Sequence, residues 1–331
     1  MIKKTLNRWA RYVWYEDVFI ASWLTAFSML FIDITRFRRY LYRKNIVLKS
    51  TKLSCPVIIV GNITVGGTGK TPLVIALAQR LTKEGFRPGI ISRGYGGKNC
   101  GAISVSADSS PTQVGDEPIL MAKKSGCPVA IATKRAEAAQ FLISEKNCNI
   151  ILSDDGLQHY ALQRDIEIAV IDGERRFGNN SCLPGGPLRE PIERLNEVDL
   201  IVVNGTSEEA REIPMQFVAE MAVNLKTGEE KNLAEFKGQS CHAVAGIGNP
   251  ERFFNLLTAK GLTTKNHPFP DHHFFTAKQI NFKDALPVFM TEKDAVKCTA
   301  FASDKHWFVP IVAQLPESFF TQLLNLINKK L

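Results

Sequence analysis

The residues with the clearest chemical meaning run from Thr64 to Thr71, TVGGTGKT. Gly66, Gly67 and Gly69 let the backbone curl with successive N–H groups pointing inward, and the start of a following helix adds its own unpaired amides. Such a nest suits a chain of phosphates. Lys70 has the reach to meet β- and γ-phosphates, and the Thr71 hydroxyl can ligate Mg²⁺. The usual eight-residue pattern begins with glycine, whereas Thr64 stands there, with Val65 and Thr68 completing the loop. A glycine-rich turn with an incidental lysine is the competing assignment, and nucleoside triphosphate binding with Mg²⁺ is the working one.

Carboxylates follow where such a site needs them. The run from 149 to 153, NIILS, reads as a strand and delivers Asp154 and Asp155 at its end, the place where an Asp orders Mg²⁺ in related chemistry. A turn after an edge strand would look similar. Gly115-Asp116-Glu117-Pro118 opens a helix running to about Lys124. On local grounds Asp116 is its cap, while Glu117 joins Thr71, Asp154 and Asp155 as a candidate Mg²⁺ ligand. Arg93 and Tyr95 lie in the glycine-dense loop RGYGG, where a substrate or phosphate role competes with a plain surface turn. Arg189, in the Pro/Gly loop from Pro184 to Pro191, suits an anionic group as well as it suits solvent. Three of the six histidines fall between 267 and 273, but Pro268 and Pro270 fit no helical metal-ligand spacing.

These groups need a scaffold, and the apolar runs supply one. Val57 to Val60 precedes the glycine loop as a buried strand, and Leu73, Leu77 and Leu81 mark one face of a helix from Pro72 to about Glu84. Strand-like runs recur at 88–92, 127–132, 149–153, 166–171 and 200–203, with helical stretches between them. The expected fold is α/β, a mostly parallel P-loop sheet with helices on both faces and ligands at the carboxyl ends of the strands. A polar stretch from Gly205 to Met215 marks a change to a second, smaller α/β unit. It would use strands at 217–225, 243–247, 288–290 and 307–312 and a helix from Pro250 to Lys260. The expected divisions are 1–50, 51–205 and 206–331, with the C-terminal helix free to pack back on the core.

Charge sets the first 50 residues apart. They carry ten Lys and Arg against three acidic residues, so nearly all of the formal +8 resides there and no nucleic-acid surface is expected on the body. Val18 to Ile32 holds no charge for fifteen residues, flanked by Trp14, Tyr15, Tyr40 and Tyr42. A helix of that length spans only about 22 Å, short of a hydrocarbon core of about 30 Å. A helix lying in one leaflet, with cations on anionic headgroups, is the expected arrangement. A core helix or an export signal would share some of these features. Seven cysteines without a CxxC pair point to a reduced interior.

Taken together, the chain resembles the tetraacyldisaccharide 4′-kinases of lipid A biosynthesis, the LpxK family. The resemblance rests on GNITVGGTGKTP at 61–72, SRGYGG at 92–97, GDEP at 115–118, ATKR at 132–135, DDGLQH at 154–159, LPGGPLREP at 183–191, FPDHH at 269–273 and TEKDAVK at 291–297. It implies transfer of the γ-phosphate of ATP, with Mg²⁺, to the 4′-hydroxyl of a tetraacyldisaccharide 1-phosphate glycolipid on the cytoplasmic face of the bacterial inner membrane. It also implies a catalytic pair, Asp116 with His272, working beside Lys70, and adds Arg135, Gln158 and His159 to Arg93, Tyr95 and Arg189 as substrate candidates. No obligate protein partner is evident. A membrane-associated ATPase switch acting on a protein is the other class to weigh, although such switches carry a lysine where Val65 stands. Guanine specificity is not expected, because no NKxD motif is present.

Overall fold

The computed structural model describes residues 13–16, 22–93 and 101–330. Strand β1 (Val57–Gly61) is buried along its whole length, as expected of a central parallel strand. Its side chains alternate between two cores: Ile58 and Val60 face one, Val57 and Ile59 the other. Around it lie β2 (Pro88–Ser92), β3 (Ile103–Val105), β4 (Val129–Ile131), β5 (Ile150–Asp154), β6 (Ile166–Asp172), β7 (Leu200–Asn204) and β8 (Glu212–Val218). A second group comprises β9 (Met221–Asn224), β10 (Glu230–Asn232), β11 (Ser240–Ala245), β12 (Thr263–Pro268), β13 (Val288–Thr291) and β14 (His306–Val309), and β15 (Val312–Gln314) follows.

The larger sheet runs β15-β8-β7-β6-β1-β5-β2-β4-β3, parallel except at its two edges, where β15 and β3 are antiparallel. The smaller runs β10-β9-β14-β13-β11-β12. Helices cover both faces of the larger sheet, as the sequence led us to expect. The sheet also continues past residue 205, taking β8 and then β15 from near the C-terminus. The apolar stretch expected as one strand at 307–312 is two, one in each sheet. Pro310, which has no N–H for a ladder, stands between them. The stretch expected at 217–225 likewise divides at Ala219 and Glu220, between β8 and β9.

Helix α1 (Ser22–Lys44) is longer than the apolar run that announced it, because it carries on through the arginine-rich segment. Residues 17–21 lie outside the described residues. One side docks on the core: Leu24 and Ser28 are buried, and Ser28 Oγ donates to the Cys182 carbonyl at 2.8 Å and accepts from the Gly185 amide at 3.0 Å. The other side leaves Trp23, Phe27, Leu30, Ile34 and Phe37 more than half exposed. No helix among the described residues is long and apolar enough to cross a membrane.

Helix α2 (Lys70–Lys83) follows the glycine loop, and α3 (Asp116–Ser125), α4 (Arg135–Lys146), α5 (Pro250–Ala259), α6 (Glu292–Cys298) and α7 (Glu317–Lys330) complete the longer helices. Although α7 closes the chain, Phe319, Leu323 and Ile327 bury themselves with Leu73 and Leu77 of α2. Phe319→Ala is therefore expected to cost about 3–5 kcal/mol, the range for a large core truncation. Urea titration checks this, and a loss below about 1 kcal/mol would show that α7 is not part of the core.

Candidate active site

The glycine loop leaves the carboxyl end of β1 and enters α2 through Gly69, whose φ of 100° places it in the left-handed region. A side chain there would also collide with Phe217 Cζ at 2.7 Å and Asn204 Nδ2 at 2.9 Å. The loop is pinned from outside: the Val65 amide donates to the Pro187 carbonyl at 2.8 Å and Asn204 Nδ2 to the Thr68 carbonyl at 3.2 Å. Asn62 works from within. Its Nδ2 reaches the Gly66 carbonyl at 3.3 Å, while its Oδ1 accepts from Lys70 Nζ at 3.1 Å. Lys70 is thus held back over its own loop, with Asp155 Oδ1 3.3 Å away.

The two aspartates at the end of β5 have different surroundings. Asp155 adopts φ 48°, uncommon for a residue with a side chain, and Arg189 Nη1 meets both its oxygens at 3.1 Å. Burial would raise its pKa, but Lys70, Arg189 and Arg135 together hold the carboxyl well below the usual range. Asp154 is fully buried, and its Oδ1 has no hydrogen-bond partner. Burial first, and the nearby charges of Glu117 and Asp155, push it up to about 7, against the pull of Lys70 and Arg135.

An orphaned carboxylate oxygen, raised toward neutrality beside two further carboxylates, fits a cation that would complete its surroundings. No group of three or more His, Cys, Asp or Glu among the described residues could enclose a metal by itself. This agrees with Mg²⁺, which takes one or two carboxylates and fills its shell with phosphate oxygens and water.

Asp116 begins α3, and its Oδ1 accepts from the Glu117 amide at 3.0 Å, a cap-like bond. It is also buried and paired: His272 Nδ1 lies 3.1 Å from Oδ1. His272 comes from the turn after β12 in the smaller sheet and sits at φ 57°, a strained conformation of the kind that surrounding structure must enforce. Burial works to raise the Asp116 pKa, yet the His272 bond and the charges of Lys293 and Lys297 outweigh it and keep it ionised. The same hydrogen bond raises His272 above the ordinary histidine value. Asp116, His272, Phe274, Thr112 and Lys297 line a cavity of about 230 Å³. A second cavity of that size lies beneath α1, where Arg39 and Arg194 are paired with Glu197 and Glu167.

The remaining candidates divide. Arg135 is buried and lies within the field of Asp154 and Asp155. Gln158 is occupied with the frame, its Nε2 donating to the Asn62 carbonyl at 3.1 Å and to Glu190 at 2.8 Å. His159 is driven down to about 4 by burial and by Arg135 and Arg164, so it is a neutral imidazole. Arg93 is exposed at the end of β2, and Tyr95 lies outside the described residues. Sequence reasoning missed Asn62, Lys293 and Lys297. The signal was present in the quoted motifs, since Asn62 opens GNITVGG and both lysines lie within TEKDAVK, but no local rule gives them a role. Lys293 Nζ spans Glu117 at 2.9 Å and Asp271 at 3.1 Å, one residue from each member of the pair.

A parallel sheet with a glycine loop at the end of its central strand, and an aspartate pair on the neighbouring strand, defines a P-loop nucleotide-binding protein. The family described as tetraacyldisaccharide-1-P 4′-kinase, LpxK, matches residues 20–328. The tetraacyldisaccharide 4′-kinase of Methylobacillus flagellatus is 49% identical over 99% of both chains. That of Nitrosococcus oceani is 49% identical over 96% of this chain and 93% of its own. Among solved structures, the "apo" form of LpxK from Aquifex aeolicus in complex with ATP superposes with a TM-score of 0.76 at 29% identity, covering 92% of this chain and 99% of that one. The chain belongs to the tetraacyldisaccharide 4′-kinase family, which does not favour the protein-directed ATPase switch.

Asn62→Ala removes the acceptor that holds Lys70 and the brace on Gly66. A loss of about 10- to 100-fold in kcat is expected, the scale of a misplaced phosphate-binding group, against near abolition for Lys70→Ala and Thr71→Ala. Steady-state ATP turnover ranks the three, and full activity in Asn62→Ala would separate that residue from the loop.

Proposed function

We propose that the chain transfers the γ-phosphate of ATP to the 4′-hydroxyl of a tetraacyldisaccharide 1-phosphate, forming lipid IVA in lipid A biosynthesis. The observation that carries the mechanism is the Asp116–His272 contact, which joins a carboxylate of the larger sheet to an imidazole of the smaller one. The charge of Glu117, next to Asp116, is felt at Asp154, which supports reading this pair and the phosphate loop as parts of one site.

The loop from Thr64 to Thr71 binds the phosphates through its amides, and Lys70 swings from Asn62 onto the β- and γ-oxygens. Thr71 and Asp154, with Asp155 or Glu117 nearby, would hold Mg²⁺, which supplies neutralisation of the phosphate oxygens. Arg135 and Arg189 add positive charge on the same side. The 4′-oxygen attacks the γ-phosphorus, the bond from that phosphorus to the β–γ bridging oxygen breaks, and ADP leaves with the electron pair. The hydroxyl proton passes to Asp116, with His272 sharing it. A carboxylate near pKa 3.9 is a weak base for a sugar hydroxyl, and the hydrogen-bonded imidazole brings the pair's capacity closer to neutrality.

The test is purified enzyme with γ-labelled ATP, Mg²⁺ and tetraacyldisaccharide 1-phosphate, with label expected on the 4′ position. Asp116→Ala should lower kcat far more than it raises KM for ATP, and adding His272→Ala should lose little more, since the two act as a unit. Below the raised His272 pKa the pair already holds its proton, so kcat/KM should fall as pH drops through a value above about 6.5. An acid limb unchanged by His272→Ala, or fully additive losses, would separate the two residues.

The exposed stripe on α1 supports docking on the cytoplasmic face of the inner membrane, where the acceptor lipid resides. Trp23, Phe27, Leu30, Ile34 and Phe37 recur at alternating spacings of four and three on one face, and Arg36, Arg38 and Lys44 flank them. This pattern suits a helix lying in one leaflet. Changing Phe27, Leu30 and Ile34 together to Ser is expected to release the protein from anionic vesicles while detergent-dispersed lipid is still phosphorylated. Unchanged sedimentation with vesicles would remove the stripe from membrane binding.

A further inference from the structure

Helix α6 packs against α3 and buries a lysine between them: the Lys297 side chain is 3% exposed. Its Nζ lies 2.8 Å from Asp294 Oδ1 and 3.4 Å from Asp116 Oδ2. Asp294 is itself fully buried, and its Oδ2 accepts from the Gly246 amide at 2.8 Å and from Thr291 Oγ1 at 2.6 Å. Gly246 opens the turn from 246 to 248 at the end of β11. That turn rests on the phosphate loop, since a Cβ on Gly248 would stand 3.2 Å from the Gly67 nitrogen. One ammonium therefore touches the carboxylate of the catalytic pair and the carboxylate that anchors the turn over the phosphates.

The two oxygens of Asp116 are used differently. Oδ1 is taken by His272 and the Glu117 amide. Oδ2 is buried, has no hydrogen bond among the described residues and meets the Lys297 ammonium at the longer distance of 3.4 Å, beside the cavity that both residues line. Burying an ammonium is costly, and an apolar side chain would serve packing alone at least as well.

We propose that Lys297 is a positioning residue for Asp116. It fixes the rotation of the carboxylate, holding Oδ2 on the ammonium so that Oδ1, with His272, is presented to the acceptor hydroxyl. Because it shares Asp294 with the Gly246 amide, it ties that orientation to the seating of the 246–248 turn against the phosphate loop. The proposal rests on Asp116 being the proton acceptor. It predicts a defect in kcat rather than in binding, because the Lys297 ammonium is already occupied by Asp294 and Asp116.

Steady-state kinetics with ATP and tetraacyldisaccharide 1-phosphate test it. Lys297→Met should lower kcat by about 100-fold while both KM values stay within about threefold, and Lys297→Arg should recover about tenfold of the loss. The double variant Asp116→Ala with Lys297→Met should be no slower than Asp116→Ala. Gly246→Ala, whose new methyl would crowd Asp294 Oδ1 at 3.0 Å, should lower kcat and raise KM for ATP together. Lys297→Met leaves buried carboxylates unpaired, so the Asp294→Asn, Lys297→Met double variant is measured beside it, with titration of a fluorescent ATP analogue as the check on folding. If Asp116→Ala is inactive while either folded Lys297 variant keeps kcat within about threefold of the parent, the positioning role is overturned. If Asp116→Ala is itself active, the proton-acceptor assignment fails first and takes this one with it.

Discussion

Neutralisation of charge in a partly buried cleft governs the arrangement around the phosphate loop. Charges removed from water are tolerated only when paired, and removing one partner leaves the other at high cost. Each carboxylate on the acceptor side accordingly has a cation: Asp116 has His272 and Lys297, Glu117 and Asp271 share Lys293, and Asp294 has Lys297. On the phosphate side Asp155 has Lys70 and Arg189. Asp154 is the exception, with an oxygen that no group among the described residues satisfies. On the proposed function this imbalance is where a metal-bound triphosphate would enter, while the carboxylates around Asp116 are already paired within the protein. Lys70 has Asn62 and Asp155 as partners for the same reason.

That neutralisation is shared between two sheets. The cations for Asp116 and Glu117 come from α6 and from the turn after β12, both attached to the smaller sheet, while the carboxylates head α3 on the larger. Neither sheet holds a finished acceptor site. Because β15 and α7 return from the smaller sheet to the larger, the chain crosses between them twice, and the cleft is bounded by covalent connections at 218–221 and 309–312. On the proposed mechanism proton removal needs groups from both units, whereas the glycine loop belongs to the larger sheet and the smaller one touches it only through the 246–248 turn.

The local parts of this design were legible in the sequence, and the long-range parts were not. A glycine loop between a β-branched strand and an amphipathic helix is determined by backbone permissiveness and period, so residues 57–83 could be read from their own composition. Asp116 looked like a cap because a cap is a local bond, but Gly115 holds the cap position with no side-chain cap bond, and Asp116, the first helical residue, reaches locally only the adjacent Glu117 amide. Its second bond comes from 156 residues further along the chain, and no spacing rule reaches that far. Resemblance to a family supplied that pairing; Lys297 escaped because its contact with Asp116 exists only once α6 packs on α3, and Asn62 because, although Gly66 and Lys70 lie only four and eight residues on, no spacing rule assigns an asparagine there. The strand at 307–312 failed as one element for a local reason that was available, the proline at 310. The continuation of the sheet past 205 was not available, since the polar stretch between β7 and β8 reads like any surface linker.

The position of α1 follows from the same framework. Its inner side is fixed by contacts that lead without a gap to the phosphate loop: Arg39 lies over the Tyr160 ring and Tyr42 packs beside it. The Tyr160 hydroxyl bonds Glu190, Glu190 accepts from Gln158, Gln158 donates to the Asn62 carbonyl, and Asn62 holds Lys70. Gln158 and Tyr160 are thereby committed to the frame and are not free for a substrate. A lipid acceptor cannot diffuse into a deep site as a soluble sugar would, because its acyl chains stay in the apolar phase. On the proposed docking of α1, this path of contacts from a surface helix to the phosphate-loop lysine would set the height of the cleft above that phase. It also fits the two-sided composition of α1: Leu24, Phe31 and Ile32 pack inward, Ser28 is bonded to the 182–185 loop, and Trp23, Phe27, Leu30, Ile34 and Phe37 are exposed on the other side.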